Sequence, residues 1–228
     1  MPKPSSPPAR TGRPPKISRD DIVAAATAII DTDGVEKLTM RRLATELGCT
    51  AMALYHHVRD KEDLLRLLLN DYADQVRWPP LPDDPRERIV VAAEAMRAVL
   101  AARPWIVEIL AADDLLGVSA LWVAETIVAG AMDCGLPADD AVRAYRAIWH
   151  YTAGEIIIRT RSAARAAEDR PTYREQIFAD LDPQALPRLA ALGPRFLTVA
   201  AEDTYTEGLN ALVDGLLNRR LGQGATGQ

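Results

Sequence analysis

The stretch Thr39 to Lys61, TMRRLATELGCTAMALYHHVRDK, reads as two short helices joined by a tight turn, with a third about to begin. Thr39 suits an N-cap, because its hydroxyl accepts a backbone N–H that the first helical turn leaves unpaired. Leu38 before it can pack on Leu43 as a hydrophobic staple. Leu43, Ala44 and Leu47 form an inward face at helical spacing, and Gly48 ends the helix because glycine enters the left-handed region without steric penalty. Thr50 caps the second helix, in which Ala51, Met52, Ala53, Tyr55 and His56 surround one core-pointing residue, Leu54. A helix of about seven residues is unstable alone and must be held by its neighbours.

A short second helix held out by a first, after a glycine turn, is the helix-turn-helix arrangement that delivers side chains into the DNA major groove. The flanking sequence supplies its support. Ser18 with Asp21 forms a capping box with Asp in place of the usual Glu or Gln. Ile22, Ala25, Ala26, Ile29 and Ile30 then fall on one helical face, and Gly34 closes that helix. On the other side Asp60 caps a longer helix, with Asp63 at the capping-box position. Its Leu64, Leu65, Leu67, Leu68, Leu69, Tyr72 and Val76 cover too much circumference for one partner. Its first half is therefore expected to pack on the head and its second on the body, and Trp78-Pro79-Pro80-Leu81-Pro82 stops it.

The run from Ile17 to Tyr72 resembles the DNA-binding domain of the tetracycline-repressor (TetR) family. The resemblance is strongest in GVEKLTMRRLATELG (Gly34 to Gly48) and ALYHHVRDKEDLL (Ala53 to Leu65). It covers about a quarter of the chain. The expected fold class is all-α, a three-helix DNA-binding domain with the helix-turn-helix followed by a helical ligand-binding and dimerisation body. The expected divisions are a disordered basic tail at 1–16, the head at 17–62, a connecting helix at 63–78, the body at 79–221 and a tail at 222–228.

Charge follows the same division. Residues 1–61 carry 10 Lys and Arg against 7 Asp and Glu, whereas the remainder carries 17 against 25, which gives the overall −5. A basic head on an acidic body presents one end to phosphates and keeps the other away. The first 16 residues hold six prolines and only positive charge, too little apolar surface to fold alone. They are either a solvated tail or, through Gly12-Arg13-Pro14, an arm whose Arg13 enters the minor groove. No apolar run is long enough to span a membrane and the N-terminus lacks a signal-peptide pattern, so no membrane partner and a cytoplasmic location are expected. Cys49 and Cys134 lie far apart without a C-x-x-C, so neither a disulfide framework nor a zinc site is indicated, and no metal or cofactor is expected. Cys49 is a small buried filler or a redox-sensitive thiol.

For DNA affinity, the resemblance places Tyr55 and Lys61 at positions that hold phosphates, and Thr39 and Thr50 can add contacts from hydroxyls and helix N-termini. For specificity, Arg41 matches a family position that reads guanine, as a bidentate donor can. Ala51, Met52 and Ala53 depart from the polar and proline residues of the tetracycline repressors, so reading must lean on thymine methyls. His56 occupies an aromatic family position and either contacts a base or phosphate or packs at the surface. His57 is expected to pack or cap within the domain.

In the body, helices are expected at Arg86–Arg103, Trp105–Ala112, Val118–Cys134, from Pro137 to about Glu168, and from Phe196 to about Arg220. The proline-rich segment from Arg170 to Pro194 reads as a loop with one broken helix. Met96, Leu100, Trp105, Ile109, Trp122, Thr126 and Trp149 are the candidate effector-binding residues. Large flat or adaptable groups among many alanines suit a cavity lining, though each suits plain core packing as well. The resemblance implies an apolar or aromatic effector of unknown identity. Magnesium-tetracycline is not expected, since those sensors use body histidines and only His150 is available, itself read as a hydrogen-bonded core or interface residue.

One head reads only a few base pairs, so a homodimer on double-stranded operator DNA is expected, with heads about 34 to 36 Å apart or a multiple of it. Tyr145, Ile156, Leu209, Leu212, Val213 and Leu216, on the helix from Pro137 and the last helix, are the candidate interface. Glu155 and Arg159 read as a surface or interface pair. No nucleophile, base and orienting group occur together, and no phosphate loop or hydrolase motif is present, so an enzyme with an accessory DNA head is disfavoured. The two competing readings are a dimeric repressor released by a small effector and a ligand-independent regulator whose body only dimerises or binds a protein.

Overall fold

The computed structural model describes residues 17–112, 115, 117–166 and 172–218. The minor-groove arm expected at Arg13 and the C-terminal tail lie outside them. Among the described residues the protein is all-α, with no strand, and no helix is long and apolar enough to cross a membrane. The chain divides into two compact units. The first comprises residues 1–76 with 108–120, the second residues 77–107 with 121–228. The first unit thus takes in a segment, 108–120, that lies within the stretch expected to form the body.

The first unit begins with α1 (Arg19–Asp33), whose Ser18 and Asp21 form the reciprocal capping box read from the sequence. Gly34 closes it at φ 87, and a 3₁₀ turn, Val35–Lys37, leads to α2 (Met40–Glu46), α3 (Ala51–Tyr55) and α4 (Lys61–Gln75). Ile22, Ala26, Ile29 and Ile30 of α1 are buried, as are Leu38, Leu43, Ala44, Leu54 and Val58. This apolar cluster is what holds α3, only five residues long, in helical form. Asp60 caps α4 by accepting the Asp63 N–H at 2.8 Å. The Asp63 carboxylate reaches back to the N–H of Arg59 at 3.0 Å rather than to that of Asp60. Leu64, Leu67, Leu68, Leu69 and Ala73 of α4 are buried. Later on the same helix, the Asn70 side-chain oxygen accepts the Val118 N–H at 3.1 Å, fixing the 3₁₀ turn Val118–Ala120 within this unit.

The second unit is built on α5 (Pro85–Ala102), α7 (Leu121–Asp133), α8 (Ala138–Ala166) and α12 (Tyr205–Asn218). Between the first two in the chain lies α6 (Trp105–Ala112), whose residues are divided between the units. The core of the second unit is Ile89, Ala93 and Met96 of α5, Val123, Ile127 and Ala131 of α7, Ala144, Ile148 and Ile156 of α8, and Leu209 and Val213 of α12. Gly130 lets α7 lie against α5: a Cβ there would stand 2.8 Å from Ile89 Cγ1 and 2.9 Å from the Pro85 carbonyl.

Two expected elements are corrected. The proline-rich segment contains two short helices, α9 (Tyr173–Ala179) and α10 (Pro187–Leu192). The first starts at a full capping box between Thr172 and Glu175, a T-x-x-E signature readable in the sequence. The single last helix is two, α11 (Arg195–Ala200) and α12. The chain breaks between them because the Asp203 carboxylate takes the Tyr205 N–H at 3.2 Å and pairs with Arg97 at 2.8 Å, starting a new helix there.

Candidate nucleic-acid interface

The two threonine caps work as expected: Thr39 Oγ1 accepts the Arg42 N–H at 3.1 Å and Thr50 Oγ1 the Ala53 N–H at 3.2 Å. Each hydroxyl keeps its own proton to donate, and both residues are exposed. Gly48 stands at φ 62, which turns the chain sharply from α2 into α3. With Leu54 buried and Ala53 half-buried, α3 holds out Ala51, Met52 and Tyr55. Met52 is 70% exposed and Tyr55 47%.

Four basic side chains nearby are not equivalent. Arg41 is exposed and has no ion pair among the described residues, whereas Arg42 is paired with Asp33. Arg59 is held by Asp63, which pushes the guanidinium pKa upward, the hydrogen bond contributing first and the charge second. Lys61, expected at a phosphate, donates from Nζ to the Val35 carbonyl at 3.2 Å and is half-buried. It therefore bridges the start of α4 to the 3₁₀ turn. His56 and His57 are both exposed, so the packing role expected of His57 is not its environment here. Cys49 is half-buried rather than enclosed.

The candidate effector residues are distributed over several helices. Met96 and Leu100 of α5, Ile109 of α6 and Thr126 of α7 are buried, while Trp105, Trp122 and Trp149 are half-buried. Thr126 donates to the Trp122 carbonyl at 2.8 Å, so its hydroxyl is satisfied. Trp122 stacks on Trp78 with ring centroids 4.6 Å apart, a partner the sequence reading placed only in a helix-stopping run. The indole N–H of Trp105 is buried without a hydrogen-bond acceptor among the described residues.

Of the six candidate interface residues, Ile156, Leu209 and Val213 are buried within the chain itself. They cannot also form a protomer surface; they back the helices from inside. Tyr145, Leu212 and Leu216 are partly exposed. His150 is exposed rather than in the core, with Nε2 3.5 Å from Arg146.

Sequence reasoning missed the polar cluster around Arg97. Its guanidinium lies 4.5 Å over the Tyr205 ring and bonds Glu155 at 3.0 Å and Asp203 at 2.8 Å. These bonds raise its pKa, that to Glu155 most. Glu155 also holds Arg159 at 2.5 Å, so the expected surface pair is part of a larger network in which Arg97 and Glu155 are mostly covered and Arg159 and Asp203 are exposed. The available signal was a charge at Arg97 within the apolar run of α5, between Met96 and Leu100.

Residues 22–68 match the family model for bacterial regulatory proteins, tetR family. Residues 78–220, more than half the chain, match the tetracyclin repressor-like C-terminal domain. The HTH-type transcriptional repressor DrrR1 of Streptomyces coeruleorubidus is 30% identical over 90% of this chain and 79% of its own length. An HTH-type transcriptional regulator of Saccharopolyspora erythraea is 34% identical over 62% of this chain and 61% of its own. Among solved structures, apo ActR of Streptomyces coelicolor superposes with a TM-score of 0.73 at 23% identity, covering 93% of this chain and 99% of that one. A further structure holds ActR in complex with actinorhodin, with a TM-score of 0.72. With both of its units matched, the chain belongs to the TetR family of bacterial transcription regulators.

Proposed function

We propose that this regulator is a cytoplasmic homodimeric repressor. It binds a palindromic double-stranded operator through α2 and α3 and is released by a small apolar or aromatic effector held in the second unit, which contains every candidate effector residue except Ile109. The observation that carries the DNA reading is the division of labour on the head. Arg42 and Lys61 are engaged within the unit, while Arg41, Met52, Tyr55 and His56 stand exposed. Arg41 would read guanine, and Tyr55 with the Thr39 and Thr50 hydroxyls would take phosphates.

Dimerisation through the exposed sides of α8 and α12 is supported by Tyr145, Leu212 and Leu216, and by Val142, an apolar residue left uncovered on α8. The effector reading is supported by the half-buried tryptophans and by the actinorhodin complex of a protein of the same fold. The exposed position of His150, the body's one histidine, speaks against a magnesium-tetracycline effector. Release is a shift between head spacings, which requires that effector bind one spacing more tightly than the other.

The test is fluorescence anisotropy with intergenic DNA beside the protein's own gene against shuffled DNA at two salt concentrations, followed by an effector screen on the complex. Sequence-selective binding by two chains per site, lost on adding an effector, is the expected result. Selective binding that no effector relieves would instead favour a ligand-independent regulator.

A further inference from the structure

Resting on the reading of α3 as the helix that enters the major groove, we infer that the operator is recognised through thymine C5-methyl groups, with Met52 the specificity-determining side chain. Each base pair shows donors and acceptors in the major groove, but only thymine adds a methyl. Of the residues α3 presents, Ala51 and Met52 have no hydrogen-bond donor, and Tyr55 has its one polar atom at the end of a ring. Met52 is 70% exposed against 47% for Tyr55, on a unit whose described leucines and isoleucines are buried or half-buried. An unbranched thioether held in water gains by contact with apolar surface, and its flexible, polarisable tip adapts to the surface it meets.

Arg41 on α2 supplies the hydrogen-bond reading that α3 lacks. The two helices therefore select for different things: α2 for a guanine edge, α3 for a methyl group. A half-site that meets both carries a guanine with thymine nearby. Because Met52 reads the methyl and not the base, a 5-methylcytosine placed at the same point would serve it in thymine's place.

The experiment uses the full chain and a duplex that it selects from a randomised pool. Thymines of the half-site are replaced one at a time by deoxyuridine, which removes the methyl and nothing else. At one position the affinity is expected to fall about fourfold per methyl, or roughly fifteenfold when both half-sites of a dimer are changed. At that position a 5-methylcytosine·guanine pair should bind more tightly than the unmethylated pair. Met52→Ala should bind the thymine and deoxyuridine duplexes alike, with an unchanged melting temperature, while Met52→Leu, which keeps an apolar tip, should retain the penalty.

Selective binding that is indifferent to deoxyuridine at every thymine overturns the inference and leaves the regulator reading standing. So does a penalty that survives in Met52→Ala. If no selective duplex emerges from the pool, both fall together.

Discussion

Arg42 of α2 is ion-paired with Asp33 at the end of α1, while Arg41, its neighbour in the chain, faces solvent. Adjacent residues on a helix point about 100° apart, so one secures the helix and the other stays exposed. Arg41→Ala is expected to lose preference at a single base pair by about 1–3 kcal/mol with no change in melting temperature. Arg42→Ala should weaken all sequences alike and destabilise the head by less than about 1 kcal/mol, since the pair is partly exposed. Anisotropy over single-base-pair variants, with thermal melts, separates the two.

Lys61 donates to the Val35 carbonyl, so its substitution carries two effects. Lys61→Ala should lower head stability by about 1 kcal/mol through the lost hydrogen bond. If Nζ also reaches a phosphate, the dependence of affinity on salt becomes shallower by about one counterion per chain. A salt slope equal to that of the wild type would assign Lys61 to the fold alone.

Asp203 is held below the usual carboxylate range, first by its hydrogen bond from Arg97 and then by the Tyr205 N–H. A lowered folded pKa gives stability that is complete above the unfolded value, about 3.9, and is lost as pH falls through the folded one. Denaturant melts should therefore be flat from neutral pH to about pH 5 and weaken below. Asp203→Asn should make that acid limb shallower and lower stability at neutral pH, because it removes the charge facing Arg97 and Arg159.

Tyr205 is the opposite case. Burial pushes its hydroxyl up to about 12, and that hydroxyl shares a 2.7 Å hydrogen bond with Thr152. The unfolded chain loses this proton near pH 10 while the folded chain keeps it, so stability is full below that pH and declines as pH rises toward 12. Tyr205→Phe should reduce the alkaline decline, measured by melts across that range.

Gly130 and Gly208 are both close approaches, but they should tolerate alanine differently. At Gly130 the new Cβ meets the Pro85 carbonyl, part of the backbone, and Ile89. At Gly208 it meets the hydroxyl end of Tyr151 at 2.1 Å. Gly130→Ala is expected to cost about 1–3 kcal/mol by overpacking. Gly208→Ala should cost less if the Tyr151 ring swings away, with loss of its 3.3 Å bond to the Tyr205 carbonyl. Chemical denaturation of the two variants ranks them.

The sequence by itself determined the head. Ser18, Thr39, Thr50 and Asp60 each cap the helix assigned to them, and Gly34 and Gly48 each end one. These signals are local: a cap or turn is decided within four residues, so it is legible from neighbours in the chain. Only the tertiary structure decided what joins residues far apart. Arg97 meets Glu155 and Asp203 across 58 and 106 residues, and the pairing cuts the expected last helix in two. The same limit hid the burial of Ile156, Leu209 and Val213. An apolar stripe shows that a helix is covered, but whether its own chain or a second copy does the covering depends on packing that no local pattern encodes.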